Sequence, residues 1–424
     1  MRQESTVLIV ANYENTVRWS KYYAAFKHNK CKPIVLCFCD RDIKNAQISR
    51  VDHIDFRTVK TENTKSKSEG FWDFNYSWNR QGIVLTQKDI CIFVSKIKTI
   101  IKQKQPLFFF GEKTWPYEIK IASISNEFSV NYLTPVSLRI PDNYYYFSNQ
   151  YEIPINVLGV VAQHQKEEIL TAQREVRRPS YFNSNNAIAF RTKAGSLYRN
   201  IFRGKDEYVT RQSVIWRILN GVSKARNSVT AFQQATDNLT KFCYYVHVQP
   251  EASIDYLGCG FRSNEIVLDW ISYAMGTGII SNNCGKQLIA LKYHPNFRGQ
   301  FQGIKKHHYW ISKNTGDSIE NLKNGIVPIT ISGTIALESL WMGISPIVLG
   351  RPYFREFPGV IAVNSFQEMV DALLRPSYDF RQFGQLEESI NNIINKSFDC
   401  TCQNQIDNYV SNVVSVFRRP NDHI

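Results

Sequence analysis

Gly325-Ile-Val-Pro-Ile-Thr-Ile331, then Ser332-Gly333-Thr334, then Ile335-Ala-Leu-Glu338-Ser-Leu-Trp-Met-Gly343 and Ser345-Pro-Ile-Val-Leu-Gly350 decide the fold. A short apolar run bounded by turn residues suits a buried parallel strand. The helix-length segment and second apolar run that follow complete a βαβ unit. Ser-Gly-Thr at the strand-to-helix junction carries chemical interest, because the first amides of a helix have no partners within it. Together with the positive end of the helix dipole they attract an anion, and a glycine lets a phosphate approach the backbone. Glu338 stands four residues beyond Thr334, one turn down the same face, within reach of a sugar hydroxyl. The plainer alternative is a Ser or Thr helix cap with no ligand.

The same rhythm extends upstream. Phe242-Cys-Tyr-Tyr-Val-His-Val248 reads as a strand and runs into Gln249-Pro250-Glu251, and a loop bearing Gly258 and Gly260 leads to a helix near Ser263–Met275. Gln287-Leu-Ile-Ala-Leu-Lys-Tyr293 is the next strand and ends at His294-Pro295. In the first half, Thr6–Val10, a helical stretch from Asn12 to Phe26, and Pro33–Phe38 form another βαβ unit. Residues 60–80 read as a polar loop. A helix from Gln87 to Gln103 then feeds the strand Pro106–Phe110, which ends in Gly111-Glu112-Lys113-Thr114. Ligands of open α/β sheets bind at the carboxyl ends of parallel strands, so Glu112 is a cleft candidate, with an ordinary loop carboxylate as the alternative.

Between the halves the character changes. Gln163 to Arg178 is charged and helical. Further on, Phe190, Ala194, Leu197, Tyr198, Ile201 and Phe202 form one stripe flanked by Arg191, Lys193, Arg199 and Arg203. Such a basic amphipathic segment suits an acidic membrane surface, or else packs on the core with its basic face in water. The predicted architecture is α/β and GT-B-like, with two Rossmann-type domains facing across a cleft. The expected boundaries are 1–235 with a basic helical insertion at about 164–215, 236–395, and a helical tail at 396–424 that packs back on the first domain.

Bulk properties agree with this division. A chain of 424 residues exceeds the usual size of a single core, and 43% hydrophobic with 21% charged residues is an ordinary globular balance. No apolar run is long enough to span a bilayer, and the first ten residues lack a signal-peptide layout, so cytoplasmic residence is expected. Nine cysteines, an odd number, fit a reducing compartment. Cys37/Cys39 and Cys400/Cys402 have C-x-C spacing, unlike the C-x-x-C pairs of zinc sites. A net charge of +14 points to anionic partners. The chain has neither zinc-finger spacings, nor an RNP-like aromatic strand, nor basic heptads, so nucleic acid is not among the expected partners.

Three strand ends in the second half thus carry Gln249-Pro250-Glu251, His294-Pro295 and Ser332-Gly333-Thr334 with Glu338. Here the chain resembles the bacterial capsule polysaccharide biosynthesis family, which includes the β-Kdo transferases. Tyr244-Tyr-Val-His247-Val-Gln249-Pro250-Glu251 is similar to the family's histidine-bearing QPE strand, and Lys292-Tyr293-His294-Pro295 to its K-x-H-P strand end. Ser332-Gly333-Thr334, Glu338, Gly343, Pro346, Gly350 and Phe354 follow its third motif, with Ile344 and Ser345 between Gly343 and Pro346 where the family has a shorter spacing. The resemblance covers residues 240–365; before that only the domain type matches.

The resemblance implies a glycosyltransferase of surface-polysaccharide assembly. It would take a nucleotide sugar, favoured as a CMP-activated ulosonic acid such as Kdo, and a glycan or lipid-linked acceptor. His294, with Pro295, and the Ser332-Gly333-Thr334 turn would meet the donor phosphate, Glu338 the ribose, and Gln249 the sugar. Glu251 would act as general base or stabilise an oxocarbenium-like transition state, a role that Asp255 shares or replaces. No D-x-D is read at a strand end, so neither a catalytic metal nor another cofactor is expected. Two rivals stay open: a GT-B-fold UDP-sugar epimerase, and a non-catalytic polysaccharide-binding or export component.

Overall fold

The computed structural model describes residues 4–11, 16–60, 85–113, 115–175, 241–247, 256–258, 261, 263–276, 289–293, 311–313, 317–375 and 377–418. The polar loop expected at 60–80 (Lys60 apart), the basic stripe of Phe190 to Arg203, and Gln249, Pro250, Glu251, Asp255, His294 and Pro295 lie outside the described residues.

The first unit holds β1 (Ser5–Val10), α1 (Thr16–His28), β2 (Cys31–Cys37), α2 (Asp40–Ile48), β3 (His53–Asp55), α3 (Gln87–Lys104), β4 (Phe108–Phe110) and α4 (Pro116–Glu127). It continues with β5 (Asn131–Ser137), β6 (Tyr144–Gln150), β7 (Ile153–Pro154) and α5 (Gln163–Arg174). The second holds β8 (Phe242–Val246), α6 (Asn264–Gly276), β9 (Ile289–Tyr293), β10 (Ile311–Lys313), α7 (Ser318–Lys323), β11 (Val327–Thr330) and α8 (Ile335–Trp341). After these come β12 (Ile347–Val348), β13 (Ile361–Ala362), α9 (Phe366–Leu374) and α10 (Phe383–Ile394), then β14 (Phe398–Asp399) and α11 (Gln403–Arg418).

Continuous apolar runs become central strands because helices cover both faces of a parallel sheet. Val7 to Val10 and Phe108 to Phe110 are accordingly buried on every residue. Local signals set the helix starts. Thr86 caps α3 by accepting the Asp89 N–H, while the Asp89 carboxylate accepts the Thr86 N–H at 2.9 Å, a reciprocal capping box.

Both sheets follow one winding rule. The first runs β3-β2-β1-β4-β5, parallel, and then adds antiparallel β6 and β14; the second runs β10-β9-β8-β11-β12-β13, parallel throughout. Counted from each unit's first strand, both begin 3-2-1-4-5, the order of a doubly wound Rossmann-type sheet. The chain is therefore α/β with two Rossmann-type units, the GT-B-like arrangement. Each order reverses at a switch point, between β1 and β4 in one sheet and between β8 and β11 in the other, where strand ends splay and leave a crevice.

The units are tied together in two ways. Val136, Leu138, Tyr146 and Ile169 of the first pack in one cluster with Leu337, Leu340, Phe354 and Ile390 of the second. The chain also returns: β14 pairs with β6, and Tyr409, Val410 and Val413 of α11 are buried in the first unit's core. Among the described residues no helix is long and apolar enough to cross a membrane.

Candidate functional site

The second switch point brings distant residues into contact. In β11 Ile329 pairs with Tyr244 of β8, so the two strands end side by side. His247, one residue past β8, therefore lies beside the turn that follows β11. Its Nε2 accepts the N–H of Ile331 at 3.1 Å and of Ser332 at 3.3 Å, and stands 2.9 Å from the Thr330 hydroxyl. That hydroxyl oxygen in turn accepts the Gly333 N–H at 2.9 Å. Fully buried Asn264, the first residue of α6, fastens the other side. Its carboxamide oxygen accepts the His247 N–H at 3.0 Å and the Tyr244 hydroxyl at 2.7 Å, and its NH2 donates to the His247 carbonyl.

These bonds correct one expectation. The amides of Ser332 and Gly333 are not without internal partners; the protein itself satisfies them. Gly333 is needed here for a reason other than an approaching phosphate. A Cβ on it would lie 2.7 Å from the Thr330 hydroxyl oxygen that its own N–H is bonded to. Thr334 opens α8 with no side-chain cap bond, and Glu338 is buried one turn into that helix. The tyrosine of β8 next to the switch point, Tyr245, has its pKa raised chiefly by burial, with Glu338 adding to the effect. Gly343 closes α8 at φ +79°, a left-handed conformation that a side chain strains.

The first unit presents its own strand end across from this edge. Glu112 and Lys113 follow β4 and line a cleft of about 220 Å³ between the units, with Ser137, Arg139, Tyr151, Glu152 and Tyr256. The Lys113 side chain is only 6% exposed and donates to the Asn149 carbonyl and to the Tyr256 hydroxyl, both at 2.9 Å. Burial pushes its pKa down to about 7. Tyr256 belongs to the segment that follows β8, so this bond joins the two units. Tyr151 stacks on Tyr256 at 5.2 Å and carries the Arg351 guanidinium over its ring at 4.9 Å.

Arg139 makes the second bridge. It sits at φ +69°, uncommon for a residue with a side chain, and its guanidinium donates to the Ser332 carbonyl and to the Glu152 carboxylate. The other oxygen of Glu152 accepts the Tyr353 N–H at 3.1 Å. Burial opposes the Arg139 charge, and Glu152, together with Tyr353 and Tyr146, leaves its pKa raised. The turn after β11 is therefore held from both sides, by His247 within its own unit and by Arg139 from the other.

Of the candidates read from the sequence, Ser332, Gly333, Thr334 and Glu338 gather at the β11–α8 junction and Glu112 lines the inter-unit cleft. β8 and β9 end in register at Val246 and Tyr293, three residues before Gln249 in sequence and one before His294. Sequence reasoning missed Lys113, Arg139 and Glu152, and quoted His247 without a role. Only Lys113 had a local signal, its place beside Glu112 after an apolar run. One further correction concerns carboxylates: Asp40-Arg41-Asp42 is a D-x-D in the first turn of α2, at the junction that follows β2. Asp40 pairs with Arg57 at 2.7 Å, and Asp42 accepts the Phe38 N–H at 3.2 Å, so both are engaged in local structure.

No family model matches the sequence, and a search of curated proteins finds no match. Solved structures align along most of the chain. The chain is 12% identical to a β Kdo 2,7 transferase, KpsC, of Thermosulfurimonas dismutans, over 92% of this chain and 99% of that one, with a TM-score of 0.36. It is 12% identical to a UDP-N-acetylglucosamine 2-epimerase of Rickettsia bellii, over 100% and 99% of the two chains, with a TM-score of 0.35. A glycosyltransferase of Rickettsia africae is 13% identical over 98% and 99%, with a TM-score of 0.30. Likeness at this level does not carry function, which rests on this chain's own residues.

Proposed function

We propose that the protein is a glycosyltransferase that moves a sugar from a nucleotide donor to a glycan or lipid-linked acceptor in surface-polysaccharide assembly. The observation that carries this reading is the meeting of two strand-end edges. Lys113 after β4 bonds to Tyr256 after β8, and Arg139 after β5 bonds to Ser332 after β11. The carboxyl-end edges of two Rossmann-type sheets thus meet, an arrangement that suits a reaction between two separately held substrates.

The donor belongs to the second unit in this reading. The Ser332 and Thr334 hydroxyls, with His294 and the adjoining Pro295, take the phosphate, Glu338 the ribose, and Gln249 the neighbouring sugar. Glu251 takes the proton of the attacking hydroxyl, with Asp255 as the nearby second acid. Glu112 faces the acceptor, whose ring packs against Tyr151 and Tyr256. The His-Pro and Ser-Gly-Thr motifs favour a CMP-activated ulosonic acid such as Kdo as donor. The Arg191–Arg203 stripe suits an acidic inner leaflet that presents a lipid-linked acceptor.

The test is nucleotide release from CMP- and UDP-sugars, with and without glycan acceptors. Acceptor-dependent release supports transfer, while conversion of a UDP-sugar without any acceptor would make the protein an epimerase. Ser332→Ala should weaken nucleotide affinity by about 1.5–3 kcal/mol in calorimetry, the worth of a charge-assisted hydrogen bond. Glu251→Gln should leave that affinity in place and cut turnover about 10²-fold. Unchanged affinity in the first variant for every nucleotide tried would remove the donor site from this turn.

A further inference from the structure

We propose that His247 is a positioning residue, whose unprotonated Nε2 locks the backbone after β11 to the carboxyl end of β8. It thereby sets the spacing between the phosphate side and the sugar side of the donor site. This rests on the reading of those two strand ends as the donor edge.

The geometry leaves the ring one arrangement. The amide hydrogens of Ile331 and Ser332 are fixed by the backbone and both point at Nε2, at 3.1 and 3.3 Å. The Thr330 hydroxyl accepts the Gly333 N–H on one lone pair and can turn its own proton to the same nitrogen, 2.9 Å away. A proton on Nε2 would face two N–H groups. The lone pair must therefore be there and the proton on Nδ1. Such a ring offers no Nε2 to a metal ion and no Nε2–H to a phosphate. Its work is mechanical.

The lock joins the two segments that the proposed chemistry needs in register. His247 stands two residues before Gln249 and four before Glu251, while Ser332 opens the phosphate turn. Both ends of the link are held by further bonds. Asn264 holds the His247 N–H and carbonyl from α6, and Arg139 holds the Ser332 carbonyl from the first unit. The tautomer matters because a backbone of N–H donors can be tied down only by an acceptor.

Two experiments decide the matter. Long-range 1H–15N correlation spectra of 15N-histidine-labelled protein, assigned with His247→Gln, should show the His247 signal as the Nδ1–H tautomer at neutral pH. An Nε2–H tautomer or a charged ring overturns the proposal, and this readout does not depend on what the protein catalyses. In the second experiment, CMP and UDP binding and donor kinetics are compared in His247→Ala, His247→Asn and His247→Gln. Loss of the lock should raise the donor KM about tenfold or more in the alanine variant, with a smaller change in kcat, since misplacement by about an ångström is enough for such losses. An amide oxygen can accept the same N–H groups, so asparagine or glutamine should recover most of the loss. If both fail as alanine does while remaining folded, acceptor chemistry is not the point and the proposal falls. If the wild type binds no nucleotide at all, the donor-site reading fails instead, and the spectra still decide the lock.

Discussion

Lys113 shows how one residue carries a measurable signature of the cleft. Its amine is charged in both folded and unfolded protein below about pH 7 and neutral in both above its ordinary value of 10.5. Between these limits only the unfolded chain holds the proton, so the residue's contribution to stability is present at high pH and lost as pH falls towards 7. Urea unfolding of the wild type and Lys113→Met should therefore diverge with pH. The wild type should gain roughly 4 kcal/mol relative to the variant between pH 7 and 10, at about 1.4 kcal/mol per pH step. A flat difference would mean that the amine is solvated. Residues of this kind were poorly legible in the sequence. Glu112 was picked out because it ends an apolar run, whereas Arg139 and Glu152 are single charges in unremarkable surroundings. His247 sat inside a recognised motif, but the partners of its ring are more than 80 residues away in the chain, and nothing local points to them.

Elements were legible where burial is symmetrical. The apolar runs of β1, β2, β4, β8 and β11 announce themselves, because a strand covered on both faces has no polar positions to break the pattern. The β5–β6 hairpin was not read, since Pro135 interrupts β5 and the far side of β6 is an edge with polar residues beside its aromatics. That edge is closed by pieces too small to see in a sequence. Two-residue β14 pairs with Tyr144 and Tyr145, Phe147 takes the Ile155 N–H on its carbonyl, and the Phe147 N–H goes to the Tyr409 hydroxyl at 3.0 Å. Each covers a backbone group that would otherwise template another strand. Tyr409→Phe removes the acceptor and leaves a buried amide unpaired, and should lower stability by about 1–3 kcal/mol. The midpoint of urea unfolding should fall with its slope unchanged. An unaltered midpoint would show that Phe147 has a second acceptor.

At the scale of the whole molecule, the question is what keeps two switch points opposite each other. The apolar cluster of Leu138, Tyr146, Leu337 and Phe354 supplies non-directional adhesion, and the Arg139–Glu152 pair adds direction by reaching both the Ser332 carbonyl and the Tyr353 amide. Glu152→Ala strands a largely buried guanidinium and should cost about 3 kcal/mol. Arg139→Met combined with Glu152→Leu should recover much of that loss, because no charge is then left unpaired. Chemical unfolding of the three proteins checks this, and a double variant no better than the single one would show that the pair adds stability beyond its desolvation cost. The two-unit plan was readable from the repeated strand–helix rhythm; this bridge was not, because it depends on how the two units meet. The returning tail has a consequence for the order of events during synthesis. Phe398 and the buried face of α11, from Ile406 to Val414, finish a core whose other members run from Val7 to Val157. A ribosome making roughly 5–20 residues per second needs about 12–50 s to travel from Val157 to Phe398. For that interval the nascent first sheet has emerged with part of one apolar face bare, while the whole second unit is still being made. Among the described elements the seam at β14 and α11 is thus the last of the first unit's core to be made, and until then the uncovered face is apolar surface for a chaperone to shield.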